Sequence, residues 1–288
     1  MTTRINGADS SAGFASLSRL RLDTLRSRNG FSLLAGLIVL VVVAWAVAPG
    51  LFTDHSPYVG ITHEQFEAPS VAHPFGTDQL GRDVFARVVY GTRPAVITSL
   101  VAVAIGLVIG SLLGLVAGFF GEYVDAALGR LIDVLLAIPA FLLAVIVVVS
   151  LGFATTNAAI AVGASSVAVF ARLSRSETLR VKSLAFVESA YLLGGNKIQI
   201  LLLHVLPNTY RPILALTVLQ FGIAIINISG LAFLGYGSPP PASDWGLQVA
   251  DGKAFFYSFP WLVVAPGVVM VLTVLSLNQL SKSIGRRK

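Results

Sequence analysis

The sequence predicts an all-α, polytopic membrane protein with six transmembrane helices, and three observations predict it. Of 288 residues, 55% are hydrophobic and only 12% charged, with a mean hydropathy of +0.82, a balance that soluble domains rarely have. Apolar runs of about twenty residues, the length that crosses roughly 30 Å of hydrocarbon, recur at 31–49, 95–119, 131–151, 154–173, 211–234 and 260–281. The cations are one-sided. With the N-terminus inside, only Arg82, Arg87, Arg93 and Lys253 of the 20 Lys and Arg fall outside, while the 14 acidic residues divide evenly, as expected where cationic loops set topology. The chain is therefore expected in the bacterial plasma (inner) membrane with both termini in the cytoplasm, and the net charge of +6 calls for no nucleic acid. Absence of cysteine excludes disulfides and thiol chemistry. No soluble block is long enough to stand alone, so one integral domain, 31–288, follows a polar tail, 1–30, expected to be disordered.

The first span ends in Ala46-Val-Ala48, which imitates a signal-peptide cleavage site behind five arginines. Its apolar run is too long for an h-region and a polar tail precedes it, so a retained anchor is expected. In the following outer loop, about 50–94, Leu80, Val84, Phe85 and Val88 share a helical face, with Asp78–Arg82 and Asp83–Arg87 as i,i+4 pairs. That pattern predicts an interfacial helix. His55, His63 and His73 stand eight and ten residues apart, which puts no pair on a common helical turn and predicts no metal site. The second span carries Gly106, Gly110, Gly114 and Gly118, a flat ridge for close helix approach, either inside the bundle or at a subunit interface. Pro139 and Pro266 should kink the third and sixth spans.

No span carries a charge well inside it, which argues against proton coupling or voltage sensing. Neutral polarity remains: Thr217, Gln220 and Asn227 fall near one stripe of the fifth span, with Thr273, Ser276 and Asn278 in the sixth. They suit either a pathway lining or hydrogen bonds between helices.

Between the fourth and fifth spans, about 174–210, Ala185 to Leu193 are mostly good helix formers, and Gly194-Gly195 provide the freedom for a left-handed stop. Asn196 suits an N-cap with Gln199 closing a capping box, and Ile198, Leu201, Leu202 and Val205 repeat along one face. Two short helices joined by a glycine bend are predicted, a lever that a soluble partner can grip. The stretch 233–246, which leads into the last outer loop, about 235–259, is too rich in glycine and proline for regular helix, and Trp245, Tyr257 and Trp261 suit aromatic interface anchors.

The order Glu188-Ser189-Ala190, three residues, Gly194, nine residues, His204-Val-Leu206-Pro207 resembles the EAA loop of permease subunits in binding-protein-dependent ABC importers, with Ser189 in place of the usual alanine. His204 is the form of the dipeptide, oligopeptide and nickel branch. The string from His73 through Gly76-Thr77-Asp78 and Gly81-Arg82-Asp83 to Arg93 resembles the signature of that branch's C-type permeases. The Pro-Pro and Trp-Gly residues of the last outer loop also resemble it, and the likeness covers nearly all of the chain from Phe31.

The resemblance implies a type I ABC importer permease-like bundle. Glu188, Ser189, Ala190, Gly194, Gly195, His204, Leu206 and Pro207 would be its ATPase-coupling residues. Gly76, Thr77, Asp78, Gly81, Arg82 and Asp83 would be the loop beside the substrate-binding protein. The chain has no Gly-x-x-x-x-Gly-Lys-Ser/Thr phosphate loop and no predicted catalytic residue. ATP and Mg are thus expected in two partner ATPase subunits, beside a homologous B-type permease, an extracytoplasmic peptide-binding protein and membrane lipid. Peptide, nickel and glutathione-like substrates are not separated by the sequence. The rivals are an ion-gradient secondary transporter or channel, for which internal repeats and intramembrane charges are missing, and a non-transporting scaffold or sensor.

Overall fold

A computed structural model describes residues 30, 32–237, 239 and 241–285. Residues 1–29 of the polar tail and the last three residues lie outside them. Among the described residues the chain is helical, with an isolated Thr77–Asp83 bridge as its β pairing. The helices are α1 (Ser32–Val47), α2 (Val84–Phe119), α3 (Glu122–Ala137), α4 (Ala140–Leu151), α5 (Thr155–Lys182), α6 (Ala185–Leu192), α7 (Lys197–Phe233), α8 (Trp245–Gly252) and α9 (Trp261–Gly285).

The six predicted spans map onto unequal elements. Four helices, α2, α5, α7 and α9, are long and apolar enough to cross a membrane. The third predicted span is instead broken, α3 and α4 meeting at 90°. Pro139 is the cause: it drives Ile138 out of the α region to φ −88°, ψ 127°, as a residue before proline prefers. Pro266, by contrast, sits inside an uninterrupted α9. The first predicted span becomes α1, a shorter apolar helix.

Helix α5 is the axis of the bundle and packs on α2, α3, α4 and α7. The glycine ridge decides how. A Cβ on Gly106 would stand 2.8 Å from Ser166 Cβ, one on Gly118 would stand 2.8 Å from Thr178 Cβ, and those on Gly110 and Gly114 would strike the carbonyls of Val167 and Ala171. The ridge therefore lies against α5 of the same chain rather than at a subunit interface. Four-residue steps drift about 40° each on an α-helix; a wider π turn at Gly106–Gly110 takes up part of that drift.

Three apolar cores follow along the bundle. The middle one joins Ala102, Val148, Val162, Phe170 and Leu231. At the start of α2, Val84, Val88, Ile225, Trp245 and Leu262 form a second. At its far end, Phe119, Val181, Val187, Ile200 and Val205 form a third.

Candidate functional site

Two candidate sites stand at the two ends of α2, an elbow beyond its last turn and a platform before its first. The elbow is α6, the glycine bend and the beginning of α7. Gly194 has φ +81°, a left-handed conformation that costs an ordinary L-residue about 1–2 kcal/mol. Gly194 N–H donates to Tyr191 O at 3.0 Å and Gly195 N–H to Ala190 O at 3.1 Å, the two bonds of a Schellman stop. Gly195 is needed for a different reason: a Cβ there would stand 2.8 Å from the Ala190 carbonyl and 3.2 Å from Ile200 Cδ1.

Beyond the bend the structure departs from the predicted second short helix. Lys197–Phe233 runs as one helix of 37 residues, so the elbow's second arm is the end of a long span. The capping box is half formed. Asn196 Oδ1 accepts from Ile198 N–H at 3.2 Å, whereas Gln199 makes no side-chain hydrogen bond among the described residues. The buried face also differs: Ile200, Leu201 and Val205 are inside, while Ile198 and Leu202 are 58% and 52% exposed. A π turn at Leu201–Val205 shifts the register, opening the ladder ahead of Pro207, which has no N–H to give it.

Val187 and Val205 anchor the elbow in the third core with no exposed surface. Ser189 donates to Ala185 O at 2.9 Å, and Ala190 is half-buried against the same core. The His204 ring stacks on Phe186 at 6.5 Å, and its Nδ1 is buried with no partner among the described residues. Leu206 and Pro207 are exposed. On the outer surface, Leu192 and Leu193 are 84% and 88% exposed, and the exposed Glu188 carboxylate has no hydrogen bond or ion pair among the described residues. The elbow thus presents one free negative charge and an apolar tip from a backbone fixed beneath.

The platform is not the predicted interfacial helix. Helix α2 starts at Val84 with Asp83 as its N-cap, Oδ1 accepting from Ala86 N–H at 2.6 Å, and continues into the membrane-length span. Residues 76–83 form a tight turn ahead of it. Gly76 and Gly81 both have φ +73°; a Cβ on Gly76 would stand 2.6 Å from Glu67 O, and one on Gly81 would collide with Ile61 O. The Thr77 hydroxyl accepts from Glu67 N–H at 2.8 Å and donates to Glu64 O.

Asp78 and Arg82 pair as predicted, Nε to Oδ2 at 2.7 Å. Asp83 and Arg87 do not. Asp83 Oδ2 lies 2.8 Å from His73 Nδ1, and Arg87 reaches Asp78 at 3.6 Å and Asp251 at 3.8 Å. Capping withholds the Asp83 carboxylate from its i+4 neighbour, and burial of Arg87 demands more than one compensating acceptor. Burial also pushes the Asp251 carboxyl above its usual range, opposed by Arg87.

Several residues missed by the sequence reading tie this platform to the last loop. Trp245, read as an interface anchor, is wholly buried and donates Nε1–H to Val88 O at 2.9 Å. Gln248 donates to Arg87 O at 2.9 Å. Gly91 makes room, since a Cβ there would stand 3.0 Å from Ser243 O. Trp261 donates to Thr77 O at 3.2 Å, whereas Tyr257 is fully exposed and keeps the anchor reading open. Phe66 holds a positive φ of 57° while stacked on Phe259 at 4.2 Å.

On α7, Thr217 donates to Ile213 O at 2.8 Å, within its own helix. Gln220 is buried and Asn227 half-buried, and neither makes a side-chain hydrogen bond among the described residues.

The family model described as "Binding-protein-dependent transport system inner membrane component" matches residues 106–288. The chain is 35% identical to a dipeptide transport system permease protein DppC of Alkalihalophilus pseudofirmus, over 89% of this chain and 84% of that one. It is 38% identical to a glutathione transport system permease protein GsiD of Escherichia coli O157:H7, over 86% and 80% of the two chains. A solved amino acid ABC transporter matches with a TM-score of 0.55 at 16% identity, over 70% of this chain and 94% of that one. An inward-facing MetNI methionine ABC transporter matches with 0.56 at 18%, over 69% and 94%. These structural likenesses concern the fold.

Proposed function

The chain belongs to the inner-membrane components of binding-protein-dependent transport systems, and from that premise we propose that it is the C-type permease of an ATP-driven importer of di- or oligopeptides. The two branches of named relatives, dipeptide and glutathione permeases, share a peptide-like cargo, which favours peptides over a nickel complex. The chain is a multi-pass subunit without a catalytic role of its own, and ATP with Mg belongs to two partner ATPases on the cytoplasmic side.

The observation that carries the reading is the elbow. Glu188 and the Leu192-Leu193 tip are offered outward, while Val187, Ile200 and Val205 bind the same backbone into the bundle. A push on α6 is therefore transmitted to α7, because its second arm and the span are one helix. Closure of the ATPases would bias the bundle between inward-open and outward-open states only to the extent that the two states contact α6 differently.

In this proposal the termini and the elbow face the cytoplasm. The platform of Gly76, Thr77, Asp78, Gly81, Arg82 and Asp83 faces the extracytoplasmic peptide-binding protein. A homologous B-type permease completes a heterodimer. Gln220 and Asn227, whose side chains make no hydrogen bond among the described residues, line the pathway or meet that partner, and Thr217 extends their stripe.

Affinity purification of the tagged chain from native membranes, followed by mass spectrometry and by uptake of a labelled dipeptide into proteoliposomes, tests the proposal. Expected are a second permease, a phosphate-loop ATPase and uptake that needs ATP hydrolysis. Uptake driven by an ion gradient without any nucleotide-binding partner would overturn it.

A further inference from the structure

Three of the four histidines of the chain lie between α1 and α2, and the loop fold brings together two that helical spacing keeps apart. The rings of His55 and His73 are 5.1 Å apart between centroids. His73 Nδ1 lies 2.8 Å from Asp83 Oδ2, and one ligand atom from each of His55, His73 and Asp83 falls within 4.8 Å of the other two. His73 and Asp83 are buried and held in place, Asp83 by its cap on α2. His55 is exposed and its ring makes no hydrogen bond among the described residues. The His73–Asp83 pair is sufficient to explain itself as a hydrogen bond that fastens the platform. The position of His55 is not explained that way, because two adjacent imidazoles repel when protonated and gain from proximity when they share a cation.

We propose that His55, His73 and Asp83 form a binding site for a divalent transition-metal ion of the Zn2+ and Ni2+ class, a site that neither the elbow nor the transport reading requires. Two imidazoles and a carboxylate are a donor set for such ions. With the ion on His73 Nδ1, the single proton of the neutral ring resides on Nε2, facing Glu64 Oε2 at 3.7 Å, which is beyond hydrogen-bond distance as it stands and would have to close for that oxygen to orient the ligating ring. Asp83 Oδ1 keeps its bond to Ala86 N–H while Oδ2 turns to the ion. The ion then staples the segment after α1 to the first turn of α2.

The test uses the full chain without a polyhistidine tag, purified in detergent with its accompanying subunits and stripped by chelator. It is titrated with Zn2+ alone by calorimetry, and with Co2+ for its visible absorption. His55→Ala is the informative variant, because Asp83 and His73 hold the fold and His55 does not; His63→Ala is its control. Expected are one ion per chain, affinity about tenfold or more weaker in His55→Ala with loss of the Co2+ bands, and little change in His63→Ala. No binding by the unaltered protein, or equal binding by the unaltered protein and His55→Ala, would overturn the proposal.

Discussion

The indole N–H of Trp245 donates to the backbone carbonyl of Val88 at 2.9 Å, and neither residue has exposed surface. One hydrogen bond thus joins the last loop to the first turns of α2 across 157 residues of chain. Trp245→Phe keeps most of the packing and removes the donor, while Val88 O still accepts from the Thr92 hydroxyl at 2.9 Å, so the lost bond has an expected cost of about 0.5–1.5 kcal/mol. Trp245→Ala adds a cavity, for about 3–5 kcal/mol. Thermal unfolding of the purified complex should rank unaltered protein above Phe above Ala; equal midpoints would remove the bond from the argument.

At the glycine bend, space is not limiting. A Cβ on Gly194 would meet nothing within 4 Å, so the cost of a side chain there is confined to its positive φ. Gly194→Asn, a residue tolerated at this helix-stop position, should retain most transport. Gly194→Val should lose it while insertion and amount in the membrane stay normal, and Gly194→Asp should be intermediate. Uptake at normal rate by the valine variant would sink the lever.

The glycine ridge should respond in the opposite way. A methyl on Gly114 would strike Ala171 O, backbone that cannot give without separating α2 from α5. Gly114→Val should abolish stable accumulation in the membrane, measured by quantitative blotting, rather than uncouple a folded protein. Normal abundance with lost transport would show that the ridge serves motion instead of packing.

Burial pushes the Asp244 carboxyl above its usual range, although Gly246 N–H and Leu247 N–H donate to it. A raised folded-state pKa means that the folded protein holds this proton more tightly than the unfolded chain. Its contribution is fully favourable below the unfolded value, about 3.9, and is lost as pH rises through the folded one. Asp244→Asn keeps an oxygen acceptor for both N–H groups at 2.8 and 3.3 Å and cannot ionise. Relative to the unaltered protein it should gain stability as pH rises above the unfolded carboxyl value of about 3.9, read as a difference in melting temperature. A constant difference above that value would place the carboxyl's titration elsewhere.

Much of the elbow was readable before its structure. Gly194 as a left-handed stop, Asn196 as a cap and Val205 on a buried face all follow from backbone preference and local spacing. The buried register around Ile200 did not, because the π turn at Leu201–Val205 interrupts the period on which such readings depend. At the platform, Asp78–Arg82 is a local pair and was legible. The partners of Asp83 and Arg87 were not: His73 and Asp251 approach through loops, where separation in sequence says nothing about separation in space. Gly91 and Phe66 gave no local signal, since what they accommodate belongs to residues far along the chain.

The sequence by itself determined a multi-pass helical membrane protein with a glycine-stopped helical elbow between two of its spans. Hydrocarbon thickness dictates the length of apolar runs, and a glycine with no side chain to strain is free to take a left-handed stop. Only the tertiary structure decided that Pro266, unlike Pro139, stays inside an uninterrupted helix, that the glycine ridge meets α5 and not another subunit, and that His55 and His73 become neighbours. Each of those depends on which surfaces meet in three dimensions, and a pattern along one dimension contains no term for that.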